Sequence, residues 1–320
     1  ERVGEEWVKL FFRTISQYQN RRAALLDAMR PLLCPDGDVG DGVKELQALT
    51  MSHFAAEPKL YTVLMQGDAE WDERIDMVLA DERAVRGDAS RLAYHVACVR
   101  LLAACARGNN PAVEAQVMSL LPLDALMDVL LAVDHRRAST HVESLPIGGT
   151  RWVKGAHLAA LREVFMDSKR PEAAADVVRV GNRLWKQPSE GLYSKDGDAG
   201  VQDNLMEALL EDARELLAAL EYQSKGHAIE QEAEFKSLVV YVLENAVPML
   251  EAYYRLHYTP RTHTDDGSDY SISETLFDTL FSVHALLAHY PQHRPAVVRL
   301  LRAIAFRVTS REQGLAMADF

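Results

Sequence analysis

Cysteine is scarce in this chain: Cys34, Cys98 and Cys105 are the only three among 320 residues. So small and odd a number excludes a disulfide framework and points to a reducing compartment. Basic charge is also short, with 35 Lys and Arg against 47 Asp and Glu, a formal charge of −12. Without a local basic stripe, such a chain does not bind nucleic acid or an anionic membrane surface. Its densest basic runs, "NRR" at 20–22 and "HRRAS" at 135–139, are not stripes, so nucleic acid is excluded as a partner. Long apolar runs are missing too. A bilayer span needs about 20 residues, and the best candidate, 96–106, is interrupted by Arg100. The chain is therefore expected to be a soluble piece. It starts at Glu1 rather than Met and carries no signal peptide, and the expectation is a fragment of something longer.

Alternation of apolar and β-branched residues is absent as well, which excludes a sheet protein and turns attention to the helical period. Leu92, Val96, Val99, Leu102 and Cys105 recur at spacings of three and four, as do Trp7, Leu10, Phe11, Ile15 and Tyr18. Leu205, Leu209, Leu216 and Leu220 form a third stripe, with Asp212 as its one polar member. Phe235, Leu238, Val242 and Val247 form a fourth, which runs into Pro248, where the helix should kink or split. Segments 273–289 and 295–308 complete the pattern. Pro31, Pro35, Pro58, Gly87, "GNNP" at 108–111, Pro122 and Pro171 punctuate it, and the longer loops fall near 34–42, 186–200 and 259–272. With 48% apolar residues, the chain can bury a large core. The expectation is an all-α fold, an irregular armadillo/HEAT-like helical solenoid without a tight fixed-period repeat. It is read as one domain over 1–320, subdivided if anywhere near 186–200.

No catalytic constellation emerges: there is no Gly-rich phosphate loop, no GxSxG elbow and no Cys–His motif. Cys98 and Cys105 share a helical face but lack the spacing and number of zinc ligands, so they read as core. His289 and His293 are four apart, with His284 before them, but Pro291 breaks the helix that would align them. "DGDAGVQDNLME" at 196–207 places Asp196, Asp198 and Glu207 at positions 1, 3 and 12 of a calcium loop. Gly200 and Val201 then fail the pattern. "DGDVGDG" at 36–42 and "DDGSD" at 265–269 fail similarly and read as solvated turns. No metal, cofactor or catalytic residue is therefore assigned, and no ligand-binding residue can be named. "RRAS" at 136–139 matches a basophilic-kinase pattern with Ser139 as acceptor, a match short enough to arise by chance.

The most individual text is "LLAACARGNNPAVEAQVMSLLPLD" at 101–124. Leu101, Leu102, Ala103, Cys105, Gly108, Asn110 and the run Ser119 to Asp124 resemble a segment of the large cytosolic region of inositol trisphosphate receptors, preceded as there by Tyr94 and His95. Weaker likeness extends to "VKELQALT" at 43–50, "VKGAHLAALREVFMD" at 153–167, Trp185, the helix at 234–256 and "ETLFDTLFSVHALL" at 274–287. It belongs to the helical homology that these receptors share with ryanodine receptors. Two residues depart from it: Arg107 stands where the family has an acid and Asn109 where it has Lys, while 186–200 lacks a counterpart.

The 101–124 text itself has structural content. Gly108 is suited to a positive φ after a helix, Asn110 to an N-cap, Pro111 to the first helical position, and Pro122 with Asp124 to the next helix start. The resemblance implies a non-catalytic segment of an intracellular calcium-release channel that couples ligand binding to pore gating. It implies a homotetrameric parent in the membrane of the endoplasmic reticulum or another calcium store. This piece would lie on the cytosolic face with the parent's other domains and subunits as partners, and inositol trisphosphate would bind elsewhere in the parent. The alternative is a generic soluble helical-repeat scaffold for protein–protein interaction.

Overall fold

A computed structural model describes residues 2–17, 22–34, 40–56, 91–107, 110–127, 130, 147–168, 173–185, 204–226, 232–256 and 268–308. Among them every regular element is helical and none is a strand, so the fold is all-α. Ser139, Gly108, Asn109, Tyr18, the acidic loop residues 196–203 and the 186–200 connection lie outside the described residues. The chain divides into two compact units, Glu1–Ala132 with Ala159–Ala173, and Val133–Leu158 with Ala174–Phe320.

The first unit holds α1 (Arg2–Gln17), α2 (Arg22–Leu33), α3 (Asp41–Ala56), α4 (Arg91–Ala106) and α5 (Pro111–Leu120). Helix α4 packs on α2, α3 and α5 and on a wide helical turn, Leu161–Met166. That enclosure corrects the stripe expected at 92–105: Val96–Val99 and Leu101–Ala106 are buried on every side, Cys98 and Cys105 among them. A helix apolar all round belongs in a core, and each fully buried Val or Leu contributes about 1.5–3 kcal/mol. The stripe on α1 holds at Ile15 and is corrected ahead of it, where Val8 and Phe12 take the places expected of Trp7 and Phe11. Val8, Phe12 and Ile15 face the core, whereas Trp7 is 40% and Leu10 61% exposed. Phe12 lies edge-on to Phe54 and stacked on His53 of α3, which fixes that register.

The second unit holds α6 (Ile147–Ala160, as far as Leu158), α7 (Ala173–Trp185, from Ala174), α8 (Leu205–Ser224), α9 (Glu232–Val239), α10 (Val247–Leu256), α11 (Ser268–Leu286) and α12 (Arg294–Val308). Leu205, Leu209, Asp212, Leu216 and Leu220 are all buried, as their spacing predicts. Asn204 caps α8. Its side chain accepts from the Glu207 N–H at 3.0 Å, and the Glu207 carboxylate accepts from the Asn204 N–H at 3.1 Å, a closed capping box.

Helices α9 and α10 run on continuously through Val240–Ala246, so of the two outcomes expected at Pro248 the split does not occur. Pro248 has no N–H and its ring crowds the carbonyl four residues back. The chain absorbs this in a wide turn just ahead, where Val247 N–H reaches back five residues to the Val242 carbonyl. The Asn245 side chain donates to the Val240 carbonyl at 3.0 Å and helps satisfy the loosened turn.

Candidate functional site

Among the described residues, one node of buried polar side chains in each unit ties several helices together. In the first unit the node is built on α3. Gln47 is completely buried, and its side-chain amide nitrogen donates to the Leu33 carbonyl at 2.9 Å and to the Arg107 carbonyl at 2.8 Å. These carbonyls end α2 and α4, where intrahelical donors run out. One turn back on α3, the Lys44 carbonyl accepts from the Asn110 side chain at 3.3 Å. Asn110 thus stands at the N-cap of α5 with Pro111 at the first helical position, as its sequence predicts, but its side chain caps nothing and ties α5 to α3 instead.

The rim of this node is charged. Arg107 Nη1 donates to Cys34 Sγ at 2.7 Å and lies 3.9 Å from Glu163 Oε1. Glu163 belongs to the wide turn 161–166, where Asp167 N–H reaches back five residues to the Arg162 carbonyl at 2.8 Å. Burial pushes the Glu163 carboxyl up, against the opposing pull of Arg107, Arg162 and Arg30. Burial also raises the Cys34 thiol, against Arg107, so Cys34 is a poor nucleophile despite its cationic neighbour.

The second node joins α6, α8 and the wide turn before Pro248. Asp212 Oδ2 accepts from Lys154 Nζ and from Tyr241 Oη, each at 2.7 Å, and all three side chains are buried. Lys154 Nζ also lies 5.0 Å from the Tyr241 ring centre. One turn earlier on α6, Arg151 pairs with Glu215, one turn later on α8, and donates to the Glu234 carbonyl at 3.5 Å. One turn later, His157 Nδ1 donates to the Val153 carbonyl at 2.8 Å. Burial lowers the His157 pKa to about 4, so the ring stays neutral. At Gly155 a Cβ would sit 3.2 Å from Asn245 Nδ2, so α6 approaches the wide turn as closely as a side chain permits. In the same unit the Trp185 indole donates to Tyr253 Oη at 2.8 Å.

No family model matches the chain. The chain is similar to an inositol 1,4,5-trisphosphate receptor. That relative, itr-1 of Caenorhabditis elegans, is 27% identical over 121 residues, which cover 36% of this chain and 4% of the receptor. By its name that relative is a receptor.

The residues singled out in sequence fall in varied places. Glu207, the twelfth position of the calcium-loop pattern, has its carboxylate in the α8 capping box. His284 lies within α11, His289 in the connection after it, and His293 closes the short turn Pro291–His293, 3.8 Å from Glu244. Among the described residues no three His, Cys, Asp or Glu side chains are grouped to hold a metal, and no helix is long and apolar enough to cross a membrane. Pro122 starts the helical stretch 123–127, with Leu126 N–H on its carbonyl at 3.1 Å. Arg107, noted only as a departure, is a working part of the first node. Gln47, Glu163, Lys154 and Tyr241 were missed. The available signal was a polar residue inside an apolar helical run, as in "VKGAHL" and "LQALT".

Proposed function

We propose that this chain is a non-catalytic helical segment of an inositol trisphosphate receptor-like calcium-release channel, an irregular armadillo-like solenoid that couples ligand binding to pore gating. The observation that carries the reading is the 121-residue similarity to the nematode receptor. The resemblance of the text at 43–50 and 101–124 to this family agrees with it. In this reading the parent is a homotetramer in the membrane of the endoplasmic reticulum or another calcium store. The segment lies on the cytosolic face, its partners are other domains and subunits of the channel, and inositol trisphosphate binds elsewhere in the parent. The segment works by moving packed helices as bodies rather than by bending them, because close-packed cores shift between discrete arrangements.

The test is the gene on either side of this chain, followed by its product. A basic ligand-binding region upstream and apolar segments of about 20 residues downstream are expected. Vesicles holding the full-length product should then release calcium when inositol trisphosphate is added. An open reading frame that closes near this length, without such segments, would replace the channel with the soluble scaffold reading.

A further inference from the structure

The geometry points to Gln47 as a positioning residue, a pin that holds the ends of α2 and α4 at one fixed spacing on α3. This stands apart from the channel reading and holds whatever the parent protein is. Two neighbouring helices end at the same place, and each leaves carbonyls without intrahelical donors. A single side-chain amide from a third helix reaches both, at 2.9 Å on Leu33 and 2.8 Å on Arg107. An amide carries two N–H groups on one planar nitrogen, so two acceptors bound to it are held a fixed distance apart. The spacing of the two chain ends is thereby set by a rigid group rather than by the packing of flexible side chains.

The oxygen of the same amide marks the cost of this arrangement. Gln47 Oε1 is buried and has no donor among the described residues. A buried acceptor left unpaired is destabilising, and Met, of similar volume, would fill the space without it. Gln47 therefore contributes less as packing than an apolar side chain would. What it adds is direction: two bonds whose geometry the core alone does not dictate. Asn110 on the Lys44 carbonyl extends the tie to α5, so α2, α4 and α5 are all registered against one stretch of α3.

Cys34 gives a built-in reporter. It follows Leu33 directly, and its sulfur accepts from Arg107, the residue whose carbonyl Gln47 also holds. Cys98 and Cys105 lie buried in α4 of the same unit and report unfolding. In the 320-residue chain carrying Gln47→Met, labelling by N-ethylmaleimide, read by peptide mass mapping, should be at least tenfold faster at Cys34, with Cys98 and Cys105 still protected. A Cys34 rate within twofold of wild type overturns the pin. So does a parallel rise at all three cysteines, because that is loss of stability without loss of position. Should Gln47→Met fail to fold, the wild-type chain decides. Both side-chain amide protons of Gln47 should exchange with solvent at least a hundredfold more slowly than those of exposed Gln17 and Gln116. Equal rates for the three amides would overturn the proposal.

Discussion

The two polar nodes use similar chemistry in opposite surroundings. In the first unit the ion pair sits on the rim, with Arg107 50% and Glu163 24% exposed across 3.9 Å, and the buried member, Gln47, is neutral. In the second unit the ion pair itself is buried, with Lys154 1% and Asp212 0% exposed across 2.7 Å. Water screens the first and excuses it from much consequence. The second sets the Tyr241 hydrogen bond and its own geometry against the desolvation of two charges. A pair like Lys154–Asp212 is thus weak as a source of stability and strong as a constraint: it tolerates joint replacement and punishes half-removal.

The largest expected effect follows from that asymmetry. Lys154→Met removes the cation beside the buried Asp212 carboxylate, and should cost about 3–5 kcal/mol in urea unfolding followed by circular dichroism. The triple replacement Lys154→Met, Asp212→Leu, Tyr241→Phe removes the three bonded groups of the node together and should return stability to within about 1 kcal/mol of the native chain. If the single variant cost no more than about 1 kcal/mol, the contrast between the nodes would be lost.

His157 sharpens the same comparison through pH. Its folded pKa of about 4 lies below the ordinary histidine value. At pH above about 6.5 the ring is neutral folded and unfolded, and its contribution is constant. As pH falls from about 6.5 to 4, only the unfolded chain takes up the proton, so stability is lost across that window, to a total of about 3 kcal/mol. His157→Asn, which keeps a donor for the Val153 carbonyl but cannot titrate, should flatten the stability profile over that range. An unchanged profile would place the loss elsewhere.

Much of this organisation can be read without coordinates, and the exceptions have a common physical cause. The spacing of Leu205 to Leu220 gives the buried face of α8 down to Asp212, because one face of that helix meets the core. The same rule misreads α4, which is enclosed, and shifts on α1, where Phe12 rather than Trp7 finds the aromatic pocket on α3. Periodicity reports that a helix is amphipathic but not how many neighbours surround it. The nodes were less legible still. Arg107 was visible as a charge reversal, but its partners lie 73 and 56 positions away in sequence, at Cys34 and Glu163. Pro248 announced a disturbance, yet only the coordinates show that the wide turn it requires contains Tyr241, bonded to Asp212. Polar residues inside apolar runs mark a node; which residues meet there is a property of the packed chain.

Between the two extremes lies a partly buried, local bond. Asn204 and Glu207 close the capping box at the start of the helix that carries Asp212. Asn204→Ala should cost about 1 kcal/mol, several-fold less than Lys154→Met, with the amides of the first turn of α8 exchanging faster while those around Asp212 hold. Equal loosening at both places would mean that the cap, rather than the buried pair, sets the position of α8.

The smallest effect belongs to the rim. Arg107→Ala deletes a half-exposed guanidinium whose pairing with Glu163 is long and screened, so the loss should stay within about 1 kcal/mol. The Arg107 carbonyl, which Gln47 holds, survives the substitution. The change should appear instead at Cys34. Burial raises that thiol and Arg107 opposes the rise, so removing the cation moves the midpoint of its alkylation rate against pH upward. A midpoint that stays put or falls would mean that Arg107 does not reach Cys34 in solution. A stability loss of several kcal/mol would mean that the rim pair behaves like the buried one. Read beside Lys154→Met, Arg107→Ala asks whether exposure alone, at similar chemistry, decides what an ion pair contributes to this chain.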